Sequence, residues 1–209
     1  MLTEEEFIEL IKANINSIDG FSKLLSIQKM ELAIDRLEKI IGGDYKNENK
    51  IQRFLKENIW MFGNDYTHIV ENGRINAKNI LDIAPQNLES YIEIIEVKLP
   101  KENLFNFDTD HNNYFSTAGL TKAIAQTQNY IFELEKATDD EEFKHKNNCK
   151  IVRPKGMVLF ESKEHLNDEE QQYLRILNSS YHNLQVITYQ QLLGKAKNTL
   201  RVTGKKEEK

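Results

Sequence analysis

Apolar positions along the chain recur first at helical spacing, then in alternation, then in both patterns by turns. Phe7, Ile8, Ile11, Ile15 and Ile18 follow a possible capping box at Thr3 and Glu6, and predict an amphipathic helix that stops at Gly20. A second stripe, Met30, Ile34, Leu37 and Ile41, predicts another helix, ended by Gly42 and Gly43. In "NENKIQRFLKENIWMFG" a third helix turns Ile51, Leu55 and Ile59 inward, and Glu48 lies on the same stripe because it precedes Ile51 by three positions and Leu55 by seven. "YTHIV", "NILDIAP" and "YIEIIEVKL" then read as a three-strand meander. A turn at "ENGR" follows the first strand, and Pro100, which has no N–H to donate, stops the last.

The segment "KENLFNFDTDHNNYFS", residues 101–116, reads as a polar loop placed to cover whatever lies beside it, with "DTDH" as a turn. A helix follows, with Leu120, Ala123, Ile124, Thr127, Ile131 and Leu134 on its main stripe and Gln126 and Tyr130 on a neighbouring face. The basic run Lys144, Lys146, Lys150, Arg153 and Lys155 contains no acid and is the best local candidate for phosphate contact. "GMVLF" and "LQVITY" are buried strands around the helix "DEEQQYLRILNSS", which Asn167 or Asp168 caps, and Thr188 with Gln191 forms a capping box before a last helix. Strands bracketing helices indicate an α/β fold, a mixed sheet with helices on its faces. The divisions expected are a helical segment over 1–43, one main domain over 44–200 and a disordered charged tail over 201–209.

The chemistry concentrates in "LDIAPQNLESYIEIIEVKLP". Side chains alternate along a strand, so Ile92, Ile94, Glu96 and Lys98 share one face, and Tyr91, Glu93, Ile95 and Val97 the other. If the hairpin pairs around "QNLES", Asp82 comes near Glu96 across the strands, in a register that local sequence leaves open. A salt-bridged strand end is the plain reading of such a cluster. Two converging acids repel more than one lysine offsets, however, and a divalent hard cation with oxygen ligands relieves that repulsion directly.

Composition narrows the field. The chain has 209 residues, 39% hydrophobic, and a net charge of −5, which suits a folded domain and excludes a generally basic nucleic-acid coat. A single cysteine, Cys149, and five scattered histidines offer no disulfide and no zinc spacing. The acidic start "MLTEEEFIEL" has no signal-peptide character and no run is long enough to span a bilayer, so a cytoplasmic setting without membrane contact is expected. No glycine-rich phosphate loop and no nucleophile elbow is present, which sets aside ATP hydrolysis and acyl transfer.

Taken in order, Glu48 in its helix, Asp82 in "LDIAP", Glu96, Val97 and Lys98 in "EVKLP", then "AIAQTQNY", resemble the PD-(D/E)xK nuclease core. More narrowly, with "RPKGMVLFES" and "QVITYQQLLGKA", residues 45 to 200 resemble the nuclease domain of Shedu antiphage defence proteins. The resemblance implies a restriction-endonuclease-like sheet flanked by helices, and metal-dependent cleavage of DNA in antiphage defence. It makes Asp82, Glu96 and the Val97 carbonyl ligands of Mg²⁺ (or Mn²⁺), with Glu48 completing the acidic cluster. It makes Lys98 the group that orients the attacking water or stabilises charge at phosphorus, and Gln126 its hydrogen-bond partner. It also implies a homo-oligomer. The chain departs from the family pattern at Leu81, where the motif has proline, at Leu99, often basic in the family, and at Glu161-Ser162, where a Gly-Arg pair is common. The last departure motivates a second reading, a nuclease-fold module that binds nucleic acid or protein without turnover.

Overall fold

The computed structural model describes residues 4–43, 47–70, 73–76, 79–160 and 166–204, with residues 4–19 described by backbone alone. The chain opens with one unbroken helix, α1 (Glu4–Ile41), where the spacing predicted two. Gly20 does not stop it. A lone glycine in a helix costs about 1 kcal/mol, and no proline or cap accompanies this one. The helix ends where expected, as Gly43 adopts φ +91 and the Gly42 and Gly43 amides fold back onto the Glu38 and Ile40 carbonyls. Thr3, half of the expected capping box, lies outside the described residues.

Helix α2 (Glu48–Glu57) is capped by Asn47 and buries Ile51, Phe54 and Leu55; a short 3₁₀ turn over Ile59–Phe62 follows. The meander is present in broken form. Strands β1 (Tyr66–Ile69) and β2 (Pro85–Asn87) pair antiparallel, and isolated bridges Arg74–Ile80, Ile83–Ile95 and Gln86–Ile92 replace the continuous strand read in "NILDIAP". Part of the "ENGR" turn, residues 71–72, lies outside the described residues. Strand β3 (Ile94–Val97) leaves this pair and joins a parallel trio, β3-β6-β7, with β6 (Gly156–Phe160) and β7 (Leu184–Thr188).

The expected loop over 101–116 is a β-hairpin, β4 (Phe105–Asp108) and β5 (Asn113–Ser116). Aromatic and polar residues alternate along β4, Tyr114 and Phe115 follow one another in β5, and the Asp108 carboxylate accepts from the Asp110 and His111 amides to close the turn. The hairpin leans on α5 (Asp168–Ser179) through an edge-to-face contact of Phe105 with Tyr173 and a hydrogen bond from Asn167 to the Tyr114 hydroxyl. Helices α3 (Ala118–Lys136) and α4 (Glu141–Asn147) follow the hairpin; α4 takes Lys144 and Lys146 out of the expected basic loop. Asn167, not Asp168, caps α5, with Glu170 completing the box, and Thr188 and Gln191 make the reciprocal pair that opens α6 (Tyr189–Gly204). Helix α6 runs four residues into the tail expected to be disordered; residues 205–209 lie outside the described residues.

Strand alternation organises the core. Ile95 and Val97 face a cluster with Leu37 and Ile40 of α1, Ile51 and Leu55 of α2, and Leu192 of α6. Ile92 and Ile94 face the other way, onto Ile131 and Leu134 of α3 and onto Phe143 and Cys149. Val158, Phe160 and Val186 join a third cluster with Leu120, Ala123 and Leu174. The parallel trio is therefore sandwiched between α1, α2 and α6 on one face and α3 and α5 on the other, an α/β architecture built from several small sheets. No helix among the described residues is long and apolar enough to cross a membrane.

Candidate active site

The bridge between Ile83 and Ile95 settles the register. Each donates its amide to the other's carbonyl, at 3.2 and 2.9 Å, so the preceding Asp82 stands opposite the following Glu96. The Val97 amide then donates to Asp82 Oδ2 at 2.9 Å and fixes that carboxylate beside β3. Glu96 and Lys98 share a face as the alternation requires, and Lys98 Nζ lies 2.5 Å from Glu96 Oε1. Past the end of β3 the Lys98 amide still donates to the Leu159 carbonyl, so the lysine backbone is held by β6.

Burial makes this cluster electrostatically tense. Glu96 is completely buried, and its Oε2 has no hydrogen-bond partner among the described residues. Loss of solvent, with the neighbouring Asp82 charge, pushes its pKa up to about 7 against the opposing pull of Lys98. Asp82 is also raised by burial, an effect that the Val97 amide and Lys98 only partly offset. Glu48, half-buried at the start of α2, is raised by burial and then by the Asp82 charge. Burial works against the Lys98 ammonium, but Glu96, Asp82 and Glu48 together outweigh it and hold the group above its ordinary value. Lys98 is thus kept charged while at least one of its acids is poised to hold a proton.

Helix α3 supplies the other side. A Cβ at Gly156 would stand 2.5 Å from Thr127 Cγ2, so only glycine lets α3 lie this close to β6. Thr127 is fully buried there, and the adjacent Gln126 reaches the site: Lys98 Nζ donates to Gln126 Oε1 at 3.3 Å, and Gln126 Nε2 donates to the Tyr130 hydroxyl at 2.8 Å. Gln126 is therefore not a solvated surface residue. Burial raises the Tyr130 pKa, so this phenol remains protonated at neutral pH.

The five side chains expected at the site, Glu48, Asp82, Glu96, Lys98 and Gln126, thus converge on one another. Four more residues take part that sequence reasoning passed over. Gln52, one turn after Glu48, donates to Glu48 Oε1 at 3.2 Å, and the Lys56 charge bears on Asp82. Glu102, at the foot of the hairpin, adds negative charge near Glu48. Tyr189, fully buried at the start of α6, donates its hydroxyl to the Lys98 carbonyl at 2.7 Å. The i, i+4 spacing of Glu48 and Gln52 was readable in advance; the Tyr189 contact joins residues 91 positions apart and had no local signal.

The basic run does not join this cluster. Lys155 precedes β6 and its carbonyl receives the Ile94 amide, so it sits at the start of the parallel strands, whereas Lys98 lies past their other end. Glu161 and Ser162 lie outside the described residues.

A divalent cation can be tested against the donors present. Among the described residues no three His, Cys, Asp or Glu side chains are assembled into a ready metal cage. The fit rests instead on two carboxylates, one of them carrying the orphaned, buried Glu96 Oε2, and this suits Mg²⁺, which binds through one or two carboxylates and keeps several waters. Glu48 is near enough to act on both acids electrostatically without completing a triad.

No curated protein matches the chain. The signature of the family described as "Shedu protein SduA, C-terminal" does match, over residues 45–193, a span that includes every residue of the cluster just described. The chain belongs to the Shedu protein family.

Proposed function

We propose that the protein is a metal-dependent nuclease of PD-(D/E)xK type, with a restriction-endonuclease-like core, that hydrolyses phosphodiester bonds in DNA as part of cytoplasmic antiphage defence. The observation that carries this reading is the pairing of Asp82 and Glu96 across the Ile83–Ile95 bridge with Lys98 in contact with Glu96. Membership in the Shedu family supports the defence role.

Asp82, Glu96 and the Val97 carbonyl would hold Mg²⁺ or Mn²⁺, with Glu48 contributing through water. Bound there, the cation would neutralise phosphate charge and lower the pKa of a nearby water. The chain's own residues do the rest. Lys98 carries a positive charge that three acids keep from dissociating, fixed before substrate arrives, which is the preorganisation that charge developing at phosphorus requires. Gln126 and Glu96 restrict the ammonium to one direction, and Tyr130 in turn fixes the Gln126 amide. Asp82 is held beside β3 by the Val97 amide, which orients its carboxylate before any cation binds.

The test is cleavage of linear and supercoiled DNA by the purified protein with Mg²⁺ or Mn²⁺, beside EDTA and Lys98→Ala controls. Metal-dependent cutting lost in Lys98→Ala, at unchanged thermal stability, is the expected result. Cutting by Lys98→Ala at the wild-type rate would overturn the assignment. DNA binding without cutting, unaffected by replacing Asp82 and Glu96, would favour the binding-module reading.

A further inference from the structure

The β4–β5 hairpin has one fastened side and one bare side. Its register sets Phe107 opposite Tyr114 and Asn106 opposite Phe115, so Phe105, Phe107 and Tyr114 share one side, and Asn106, Asp108, Asn113 and Phe115 the other. The first side is packed down. Phe105 is buried against Tyr173, the Phe107 and Tyr114 rings stand 5.0 Å apart, and Asn167 donates to the Tyr114 hydroxyl. On the second side Asn106 and Asn113 are exposed and Phe115 is 47% accessible. Neither of these two amide side chains has a hydrogen-bond partner among the described residues.

The foot of the hairpin stands beside the candidate active site. Glu102, just before it, adds its charge to Glu48, and its carboxylate lies where a side chain at Gly119, in the first turn of α3, would have to go. The Thr117 hydroxyl donates to the Asn103 carbonyl at 2.9 Å and the Thr117 amide to the Leu104 carbonyl, which clamps both ends of the hairpin to the start of the helix that carries Gln126. Phe115 is two residues from Thr117, about 7 Å of extended chain. Charge limits what this side can hold. Residues 103–116 include Asp108 and Asp110 and no lysine or arginine, and the His111 ring and the Asp110 amide hold the Asp108 carboxyl below its ordinary range. Such a surface repels a phosphate backbone. An exposed ring and free amides instead offer stacking to a base and hydrogen bonds to its edge.

We propose that Phe115, Asn106 and Asn113 form a base-binding face that takes unpaired bases of the DNA next to the bond to be cut, so that locally unpaired DNA is preferred over continuous duplex. The inference rests on the nuclease reading. In a paired duplex the faces of the bases are stacked on one another, and their edges are reached only between two rows of phosphate, which Asp108 and Asp110 oppose. An unpaired base presents its face to Phe115 and its edge to the two amides while its phosphates turn away.

Two linear DNAs of equal length, one with a short central mismatch bubble and one fully paired, test this with the full chain. Fluorescence anisotropy of the labelled DNAs, with Ca²⁺ in place of Mg²⁺, is expected to show tighter binding to the bubble. Phe115→Leu, which keeps an apolar side chain but loses the ring, should weaken bubble binding roughly tenfold, and Phe115→Tyr should retain it. Phe132→Leu, which removes an exposed ring on α3, should bind as the wild type does. With Mg²⁺ the wild-type kcat/KM should favour the bubble, and Phe115→Leu should lower the bubble-to-duplex ratio by the same factor. An unchanged melting temperature certifies the fold of the variant; if it fails that check, Asn106→Ala with Asn113→Ala is read in the same way. Cutting of both DNAs with a ratio that Phe115→Leu leaves unchanged overturns the base-binding face and spares the nuclease. Tighter bubble binding that Phe115→Leu abolishes, without cutting of either DNA, supports the face and counts against the nuclease. Equal binding of the two DNAs by the wild type, binding of neither, or a bubble preference that survives Phe115→Leu overturns the face.

Discussion

Glu96→Gln should stabilise the metal-free protein while abolishing the proposed activity. The Glu96 carboxyl is completely buried, and its pKa is raised from 4.5 to about 7 by burial and by Asp82, even with Lys98 in contact. The sign follows from the direction of the shift. A carboxyl that holds its proton more tightly in the folded chain favours folding below its unfolded pKa, and that contribution is lost as pH rises through about 7. Relative to the protonated state, ionised Glu96 therefore costs on the order of 3 kcal/mol above that pH. Glutamine keeps the shape without the charge. For a chain of this size each kcal/mol moves the melting temperature by about 2 to 4 °C. In EDTA near pH 8 the variant should melt several degrees above the wild type, and near pH 5, where Glu96 is already protonated, the gap should narrow sharply. Circular dichroism melts of both proteins at the two pH values measure this directly. Adding Mg²⁺ should raise the wild-type melting temperature and leave the variant where it was, because a ligand that binds only the folded state stabilises it by mass action. A variant that melts below the wild type near pH 8, or a gap of equal size at both pH values, would refute the reasoning.

Three further outcomes follow from the same geometry. Cleavage should fall as pH is lowered through about 7, since holding a cation requires Glu96 ionised; a rate independent of pH between about 6 and 8 would count against Glu96 as a ligand. Tyr189→Phe leaves the part-buried Lys98 carbonyl without its donor, so it should cost about 1 to 3 kcal/mol in thermal unfolding and lower kcat more than it raises KM; full activity in a stably folded variant would remove Tyr189 from any positioning role. Gly156→Ala drives a methyl into Thr127 and should cost about 1 to 3 kcal/mol and weaken the Gln126–Lys98 contact, read as a lower melting temperature with reduced cleavage; unchanged values in both assays would show that α3 can shift freely.

How much of the fold was legible depended on whether local pattern or distant packing decided each element. The α3 stripe was readable in full because a single face of that helix meets the sheet, and every residue placed on its main stripe is buried. The caps of α5 and α6 were readable because they close within three residues. Helix α1 was misread as two because its buried stripe begins only at Ala33, while Phe21, Leu24, Leu25 and Leu32 are exposed on another side, so the apolar spacing loses phase although the helix does not break. The hairpin at 105–116 escapes local pattern because only its first arm alternates, as Phe105-Asn106-Phe107-Asp108; Tyr114 and Phe115 are adjacent and break the two-residue period in the second, and Asn and Asp dominate the turn.

The site shows the same division more sharply. That Glu96 and Lys98 point one way follows from the two-residue period of a strand, and no packing was needed to know it. That Asp82 joins them depends on register, and a slip of one residue would have sent it to the opposite face. The bridge at Ile83–Ile95 forbids that slip because Ile83 and Ile95 must both enter the cluster beneath α1 and α6, so the hydrophobic core, rather than any attraction between the charged groups, brings the two acids together. The consequence is a pair of carboxylates held close against their own repulsion, both with raised pKa values and one with an oxygen that no donor among the described residues satisfies. Side chains chosen for stability alone would not be arranged so. Perturbed acids of this kind cluster where charge is used in binding, and the lysine set beside this pair agrees with the proposed reading, in which a cation and the anion it accompanies are what binds.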